Sequence, residues 1–125
     1  MIVGIGTDIL SIDRAKAALT RTPAIAKRIL TPQELTEYQQ HPQPERFFAK
    51  RFSAKEAVVK ALGTGIGRGV SWQHIRITKN ALGRPLVSLT DGALESAEQQ
   101  GIETIHLSYS DEQESVVAFA VAESA

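Results

Sequence analysis

The sequence predicts a single α+β domain of residues 1–125, with N-terminal helices, one long central helix and a small, mainly antiparallel sheet. Three observations predict it: helix-start signals early in the chain, an uninterrupted helical pattern after them, and a late stretch of alternating polarity typical of a β-hairpin. With 125 residues, 42% hydrophobic and 22% charged, the chain is long enough to bury one core. This composition excludes disordered, collagen-like and transmembrane proteins.

The first half of the chain predicts one strand and several helices. Residues 2–5 form a short apolar strand, and the turn-forming residues 6–8 predict its end. A helix follows over residues 12–19. Thr22 and Thr31 each precede a proline, which predicts two short helices with these threonines as N-caps, and Thr31 also opens a capping-box pattern.

The segment 45–62 has no internal glycine or proline and predicts the longest helix, which Gly63 ends. At about 100° per residue, one wide arc is apolar and the opposite arc is polar. The apolar arc holds Phe47, Phe48, Phe52, Ala54, Val58, Val59 and Leu62, and the polar arc holds Arg46, Lys50, Ser53, Glu56 and Lys60. Arg51 and Lys55 lie within the apolar arc, where long cationic side chains either extend past buried neighbours to solvent or reach into a cleft.

The C-terminal half predicts two further strands, a helix and a hairpin. Residues 75–78 and 86–89 are the strands, and a helix that Thr90 or Asp91 caps runs to residue 100. The hairpin occupies residues 104–122. One face of its first strand carries Ile105, Leu107 and Tyr109, and the other carries His106, Ser108 and Ser110.

The charges cancel overall, with 14 basic and 14 acidic residues, but they are unevenly distributed. Residues 14–60 hold ten basic and four acidic side chains, whereas residues 91–125 hold eight acidic and no basic ones. Such a split indicates one face for an anionic ligand or partner. Two solvated helical faces of different composition would produce the same split, so charge alone leaves both interpretations open.

The chain contains no cysteine, which excludes a disulfide framework, a thiolate nucleophile and a cysteine metal site. A reducing compartment is therefore natural for it. The apolar run 1–5 lacks a basic leader and is too short for a signal peptide core or a membrane span. We expect a cytoplasmic protein without a membrane partner.

The glycine-rich loop 63–69 is the most irregular stretch of the sequence. Its glycines would let backbone N–H groups converge on an anion, with Lys55, Lys60 and Arg68 close by in sequence. It matches no standard phosphate-binding motif, because those motifs follow a strand and this loop follows a helix. A helix stop with a flexible connection is the alternative interpretation.

Asp8 and Glu56 are the acidic side chains that would suit a hard cation. Mg²⁺ usually takes one or two protein carboxylates together with waters and substrate phosphates. The alternative is an ordinary turn residue and an ordinary i,i+4 ion pair between Glu56 and Lys60. His106 leaves a similar choice, because a strand histidine either binds a phosphate, relays a proton or is simply solvated.

Taken together, four segments resemble the holo-acyl-carrier-protein synthases, the small bacterial 4'-phosphopantetheinyl transferases. They are residues 4–9 (GIGTDI), 46–57 (RFFAKRFSAKEA), 60–66 (KALGTGI) and 106–108 (HLS). The likeness runs in order from residue 2 to about residue 123 without large gaps, and FSAKEAVVK is its most diagnostic part.

The resemblance implies a 4'-phosphopantetheinyl transferase fold and a Mg²⁺-dependent reaction. Phosphopantetheine would pass from coenzyme A to a serine of apo acyl carrier protein, adenosine 3',5'-bisphosphate would leave, and the product would serve fatty acid biosynthesis. Asp8 and Glu56 match the metal-binding acids. Glu56 also matches the base that deprotonates the serine, directly or through a water, and Lys60 matches the contact to the transferred phosphate or its leaving group.

The resemblance also implies the substrate-binding residues. Those expected to line the coenzyme A groove are Arg46, Arg51, Lys55, Lys60, Gly63, Thr64, Gly65, Pro85 and His106, the last at the 3'-phosphate. Those expected to hold the acidic carrier protein are Arg14, Arg21 and Arg28. Members of the family are homotrimers with the cleft between neighbouring subunits, which leaves open which subunit supplies each side.

Two positions depart from the family pattern. Many relatives carry an acid at the position of Ser11, and others carry a histidine at the position of Asp111, so no role is transferred to either residue. A nucleotide- or RNA-binding module without chemistry competes with the enzyme hypothesis, but the basic residues lack the interleaved exposed aromatic side chains of an RNA-stacking surface. We therefore expect no nucleic acid partner. A purely structural oligomer is the third hypothesis.

Overall fold

A computed structural model describes all residues, Met1–Ala125. The elements in chain order are β1 Ile2–Ser11, α1 Ile12–Arg21, α2 Ala24–Ile29, α3 Pro32–Gln40, α4 Pro44–Leu62, a 3-10 helix Trp72–His74, β2 Ile75–Lys79, β3 Pro85–Leu89, α5 Asp91–Gln99, β4 Ile102–Asp111 and β5 Ser115–Ser124. The predicted α+β class, with early helices, a long central helix and antiparallel strands, is confirmed. None of the helices combines the length and the apolar composition that crossing a bilayer requires.

The strands form two antiparallel sheets. The larger has the order β1-β5-β4, so the first strand of the chain lies beside the last, and β2 and β3 form a separate hairpin. The buried side of the larger sheet packs on α4, where small and branched residues from α4, β4 and β5 share one core. A second core joins the aromatic N-terminal half of α4 to α1 and α2. The central helix therefore contributes to both cores.

β1 is longer than the sequence predicts. The expected turn at residues 6–8 is wrong, because the strand continues to Ser11 and pairs with β5 along almost its whole length. Two glycines of β1 allow the strand to lie very close to α4. A Cβ on Gly4 would collide with the carbonyl oxygen of Ala61, and a Cβ on Gly6 would collide with that of Ala57. Because both side chains are absent, β1 lies directly on α4.

At the helix ends the structure confirms some of the predicted capping signals and contradicts others. Gly63 ends α4 with a left-handed φ of 76°, and Thr31 forms the expected capping box with α3. Thr22 does not cap α2, because it is already the C-cap of α1, with its N–H bonded to the carbonyl of Ala18. Thr90 occupies the N-cap position of α5 without a side-chain hydrogen bond.

Candidate active site where the first strand meets the central helix

The structure brings Asp8 of β1 against one stripe of α4. Ser53, Glu56 and Lys60 share this stripe because they are spaced i, i+3 and i+7. Ser53 Oγ donates to Asp8 Oδ2 at 2.9 Å, and Lys60 Nζ lies 3.4 Å from Asp8 Oδ1. Lys60 also donates to the carbonyl of Thr7 at 2.9 Å. Two of the predicted site residues, Asp8 and Lys60, therefore lie together although they are far apart in the sequence.

Glu56 is electrostatically coupled to this cluster. Its pKa is raised above the usual value, first by burial and then by the negative charge of Asp8, while Lys60 acts in the opposite direction. A carboxylate with a raised pKa is better matched to accepting a proton near neutral pH. A raised pKa is one property that a general base working near neutral pH needs.

The donor set of Asp8 and Glu56 fits Mg²⁺. Two carboxylates that repel each other in a partly buried place gain from a shared divalent cation, and carboxylate oxygens are the ligands that Mg²⁺ prefers. Nowhere in the chain do three or more His, Cys, Asp or Glu side chains gather as metal ligands. The protein would thus supply two ligands here, and waters and substrate phosphates would supply the others.

Lys60 differs from Lys55, the other lysine of the FSAKEAVVK segment, in its freedom to move. Its side chain is 49% exposed, so Nζ is able to turn toward a bound phosphate. Lys55 is fully buried, with Nζ 2.8 Å from Glu34 Oε1 and hydrogen bonds to the carbonyls of Ile29 at 2.7 Å and Trp72 at 3.1 Å. These three partners use all its N–H donors.

Lys55 therefore reaches neither solvent nor a cleft, and its expected place in a coenzyme A groove does not match this geometry. Burial lowers its pKa, while the adjacent Glu34 opposes that effect. Lys55 is buried because its counter-ion, Glu34 of α3, is buried beside it. The helical periodicity of α4 contains no signal for a partner on another element.

Arg51 does face a cleft, although its side chain is only 6% exposed. Its guanidinium lies 4.7 Å from the ring centre of Phe47, donates to the hydroxyl of Tyr109 at 3.0 Å and lies 3.6 Å from Glu37. Its Nε is buried without a hydrogen-bond partner. The cleft holds about 500 Å³, and its other cationic or titratable residues include His41, Lys50 and Lys79.

Arg46 is engaged by the turn between β4 and β5. Its guanidinium donates to Asp111 Oδ2 at 2.8 Å and to the carbonyls of Glu112 and Gln113 at 2.7 and 2.9 Å. Lys50 Nζ lies 3.4 Å from Asp111 Oδ1. The basic and acidic stretches of the sequence thus contact each other here, and an anionic ligand would compete with Asp111 for Arg46.

Three of the remaining residues expected at coenzyme A, Pro85, His106 and Thr64, line two other cavities of the chain. Pro85 and His106 line a cleft of about 740 Å³, where His106 Nε2 lies 2.9 Å from Glu123 Oε1. Thr64 lines a cavity of about 210 Å³ beside α5, and its hydroxyl donates to the carbonyl of Gly65. Gly63 and Gly65 both have positive φ. The single chain does not bring these residues into one groove.

The residues expected at the carrier protein are on the outer surface of the N-terminal helices. Arg14 and Arg21 are exposed on α1, and Arg28 is exposed on α2. Ser11, which departs from the family pattern, is the N-cap of α1 and accepts a hydrogen bond from the backbone N–H of Arg14 at 3.3 Å. Its observed role is therefore structural.

Sequence reasoning missed Ser53, which is fully buried and bonds to Asp8. Ser53 lies on the arc of α4 predicted to be polar, and it is buried because β1 covers that part of the helix. Its helical spacing from Glu56 and Lys60 was the available signal. The spacing leads to a contact with Asp8 only because β1 lies over this part of α4.

Comparisons with known proteins agree on one family. The model of the 4'-phosphopantetheinyl transferase superfamily matches residues 4–120. Holo-[acyl-carrier-protein] synthases from Shewanella baltica strain OS185 and Shewanella frigidimarina are 50% and 54% identical over 124 residues, covering 98% of this chain and 98% of each relative.

Solved structures show the same similarity. The holo-[acyl-carrier-protein] synthase of Neisseria meningitidis has a TM-score of 0.91 at 49% identity, over 98% of this chain and 99% of that one. The Helicobacter pylori enzyme, solved in complex with coenzyme A, has a TM-score of 0.82 at 30% identity, over 95% of this chain and 99% of that one.

Proposed function

The chain belongs to the holo-[acyl-carrier-protein] synthases of the 4'-phosphopantetheinyl transferase superfamily, and from this premise we propose a Mg²⁺-dependent transfer of phosphopantetheine from coenzyme A to a carrier-protein serine. Adenosine 3',5'-bisphosphate is the second product, and the modified carrier serves fatty acid biosynthesis. The observation that supports this assignment best is the cluster of Asp8, Glu56 and Lys60.

The proposed reaction is a substitution at the phosphorus that bears the pantetheine arm. The serine oxygen forms a bond to this phosphorus, the bond to the bridging pyrophosphate oxygen breaks, and adenosine 3',5'-bisphosphate departs with that electron pair. Glu56 takes the serine proton, directly or through a water. This role suits a carboxylate whose pKa burial and Asp8 raise.

Charge develops on the phosphate oxygens during this step. Lys60 is the nearby cation that is free to meet it, because its exposed ammonium needs only to leave Asp8 and the carbonyl of Thr7. Mg²⁺ held by Asp8 and Glu56 would supply further electrostatic stabilisation. No covalent intermediate is needed, since the acceptor hydroxyl attacks coenzyme A itself.

We propose a homotrimer in which neighbouring subunits complete the coenzyme A groove. On the side of the larger sheet that faces away from α4, β1 and β5 form an apolar patch in which Ile9 pairs with Val117, and Ile5 and Phe119 lie on the same face. Ile9 is 73% exposed and Phe119 46%, and such a patch is typical of a surface that another subunit covers. Association would bring together clefts that lie apart in one chain.

Substrate binding in this proposal uses the clefts and the cationic helices. Arg51, Pro85, His106 and the loop 63–65 remain candidates for coenzyme A, together with Arg46 once Asp111 is displaced. Lys55 is left out because its ammonium is buried and fully bonded. Arg14, Arg21 and Arg28 offer the acidic carrier protein an exposed cationic surface.

The experiment that tests the function incubates apo acyl carrier protein with coenzyme A, Mg²⁺ and this protein, and measures the mass of the carrier. We expect the mass of one phosphopantetheine to be added, and no addition when protein or metal is omitted. Glu56→Gln should reduce kcat by roughly 10²–10⁴-fold while coenzyme A still binds. An unmodified carrier under every divalent metal tried would refute the function, and near-normal turnover of Glu56→Gln would refute the general-base role alone.

A further inference from the structure

Ser53 is a buried polar residue that the proposed reaction steps do not use. Its side chain is fully inaccessible to solvent, and its Oγ donates to Asp8 Oδ2 at 2.9 Å. A hydroxyl that donates to a carboxylate makes a charge-assisted hydrogen bond, which is stronger than one between neutral groups. The bond joins α4 to β1 at the residue expected to bind the metal.

The two oxygens of Asp8 are held in different ways. Oδ2 has the short bond to the immobile Ser53, whereas Oδ1 has only the 3.4 Å contact to the half-exposed Lys60. In the proposed reaction Lys60 turns toward phosphate and releases Oδ1. Ser53 is then the only side chain of this subunit that still hydrogen-bonds to the carboxylate of Asp8.

We propose that Ser53 is a positioning residue that fixes the carboxylate of Asp8 through Oδ2 and leaves Oδ1 for a divalent cation shared with Glu56. The inference rests on the proposed function, because it concerns the same metal site. Ser53 would act by preorganisation: because its hydrogen bond already fixes the carboxylate of Asp8, that group loses little rotational freedom when the cation binds. The role should therefore appear in metal affinity and leave coenzyme A affinity unchanged.

The test uses Mn²⁺ as a spectroscopic probe, with the intact protein and coenzyme A but without carrier protein, so that no turnover occurs. Free Mn²⁺ is measured by electron paramagnetic resonance for wild type, Ser53→Ala and Ser53→Thr. We expect Ser53→Ala to weaken Mn²⁺ binding by about tenfold or more, as loss of a hydrogen bond to a metal ligand typically does. Ser53→Thr, which keeps a hydroxyl, should restore most of the affinity.

Two controls separate positioning from folding. Thr36→Ala removes a hydroxyl that bonds to the carbonyl of Pro32 within α3, and it should leave Mn²⁺ binding unchanged. Coenzyme A binding without metal, measured by calorimetry, should be equal in wild type and Ser53→Ala. If Ser53→Ala does not fold, Ser53→Cys keeps the volume and offers a weaker donor, and the same loss of Mn²⁺ affinity is expected.

The outcomes distinguish this inference from the proposed function. Wild type that binds Mn²⁺, with Ser53→Ala within twofold of it, overturns the role of Ser53 and leaves the metal site standing. Wild type that binds no Mn²⁺ overturns both the metal site and the role of Ser53. Equal losses of Mn²⁺ and coenzyme A binding with a lowered Tm, not rescued by Ser53→Thr, show a structural role and also overturn the inference.

Discussion

Gly6 of β1 lies so close to α4 that a Cβ atom on it would collide with the carbonyl oxygen of Ala57. Asp8 follows two residues later and therefore points to the same side of the strand. The separation of strand and helix consequently sets the distance from Asp8 to Ser53 and Lys60. In the GIGTDI segment, residues 4–9, the glycines allow β1 to pack closely on α4, and this packing places the carboxylate of Asp8.

Gly6→Ala should separate β1 from α4 and weaken both the fold and the site. Overpacking of this kind costs about 1–3 kcal/mol, and displacement of Asp8 should lower kcat by on the order of tenfold or more. Thermal unfolding and the carrier mass assay measure the two effects. Gly101→Ala is the matched control, because its left-handed φ of 73° costs about 1 kcal/mol in open space remote from the site. Equal activity losses in both variants would contradict the packing argument.

Lys55→Met should strongly destabilise the fold, because it leaves the carboxylate of Glu34 buried without its cation. Loss of one partner from a buried pair typically costs about 3–5 kcal/mol. Glu34 also accepts hydrogen bonds from the backbone N–H groups of Thr31 and Ile77. The double variant Lys55→Met with Glu34→Gln should therefore be less destabilised than the sum of the single changes.

Urea unfolding of the four proteins gives this coupling directly. Lys27→Met, an exposed lysine on α2, should change the unfolding free energy by less than about 0.5 kcal/mol. Strictly additive effects of Lys55→Met and Glu34→Gln would show that the two charges do not depend on each other.

The sequence predicted the elements better than their contacts. The helix that ends at Gly63 and the capping box at Thr31 depend on neighbouring residues, so local patterns suffice to find them. The extension of β1 through Asp8 depends on β5 at the other end of the chain, which no local pattern contains. For that reason the local pattern predicts a turn at residues 6–8, where the structure has a strand.

The same distinction holds for the site. Asp8, Glu56 and Lys60 are singled out by the family motif, and the structure places Lys60 Nζ 3.4 Å from Asp8 Oδ1 and Glu56 close enough for Asp8 to raise its pKa. The buried bond of Ser53 and the interior position of Lys55 depend on side chains of β1 and α3. Periodicity within one helix shows which way a residue points but not which residue it meets.

Glu56→Gln should raise the Tm at pH 7.5 even though it removes activity. Because burial and Asp8 raise the pKa of Glu56, the native state holds its proton more tightly than the unfolded state. That contribution to stability is complete below the unfolded pKa of about 4.3 and is lost as pH rises through the native pKa. Because the unfolded state releases this proton more readily, the Glu56 carboxyl group weakens the fold at neutral pH, and a neutral amide removes this cost.

Calorimetry from pH 4 to pH 8 should show the advantage of Glu56→Gln shrinking as pH falls. The exposed Glu98 on α5 provides the control, and Glu98→Gln should follow the wild-type profile throughout. A Glu56→Gln protein less stable than wild type at pH 7.5 would show that the carboxylate stabilises the native state.

Arg14→Glu should raise the KM for carrier protein by about tenfold, with a small effect on the KM for coenzyme A, because it reverses one charge on the exposed face of α1. The effect should weaken at high salt as the charges are screened. Arg76→Glu, an exposed charge reversal on β2, is the control. Equal increases in both KM values would remove the assignment of this face to the carrier.

Phe119→Asp should break the proposed trimer into monomers, because it places a charge in the exposed apolar face of the larger sheet. Light scattering coupled to gel filtration measures the mass, and activity should fall with it. Leu94→Asp introduces the same charge at an exposed apolar residue of α5 and should leave the mass unchanged. A wild-type protein that runs as a monomer would exclude the homotrimer.

The stripe of Ser53, Glu56 and Lys60 makes the central helix sensitive to length as well as to composition. Insertion of one residue between Glu56 and Lys60 would rotate everything after it by about 100° and carry Lys60 away from Asp8. The carbonyls of Ala57 and Ala61 that receive the glycines of β1 would move out of register at the same time. The number of residues between Glu56 and Lys60 is therefore as much a requirement of the site as the residues themselves.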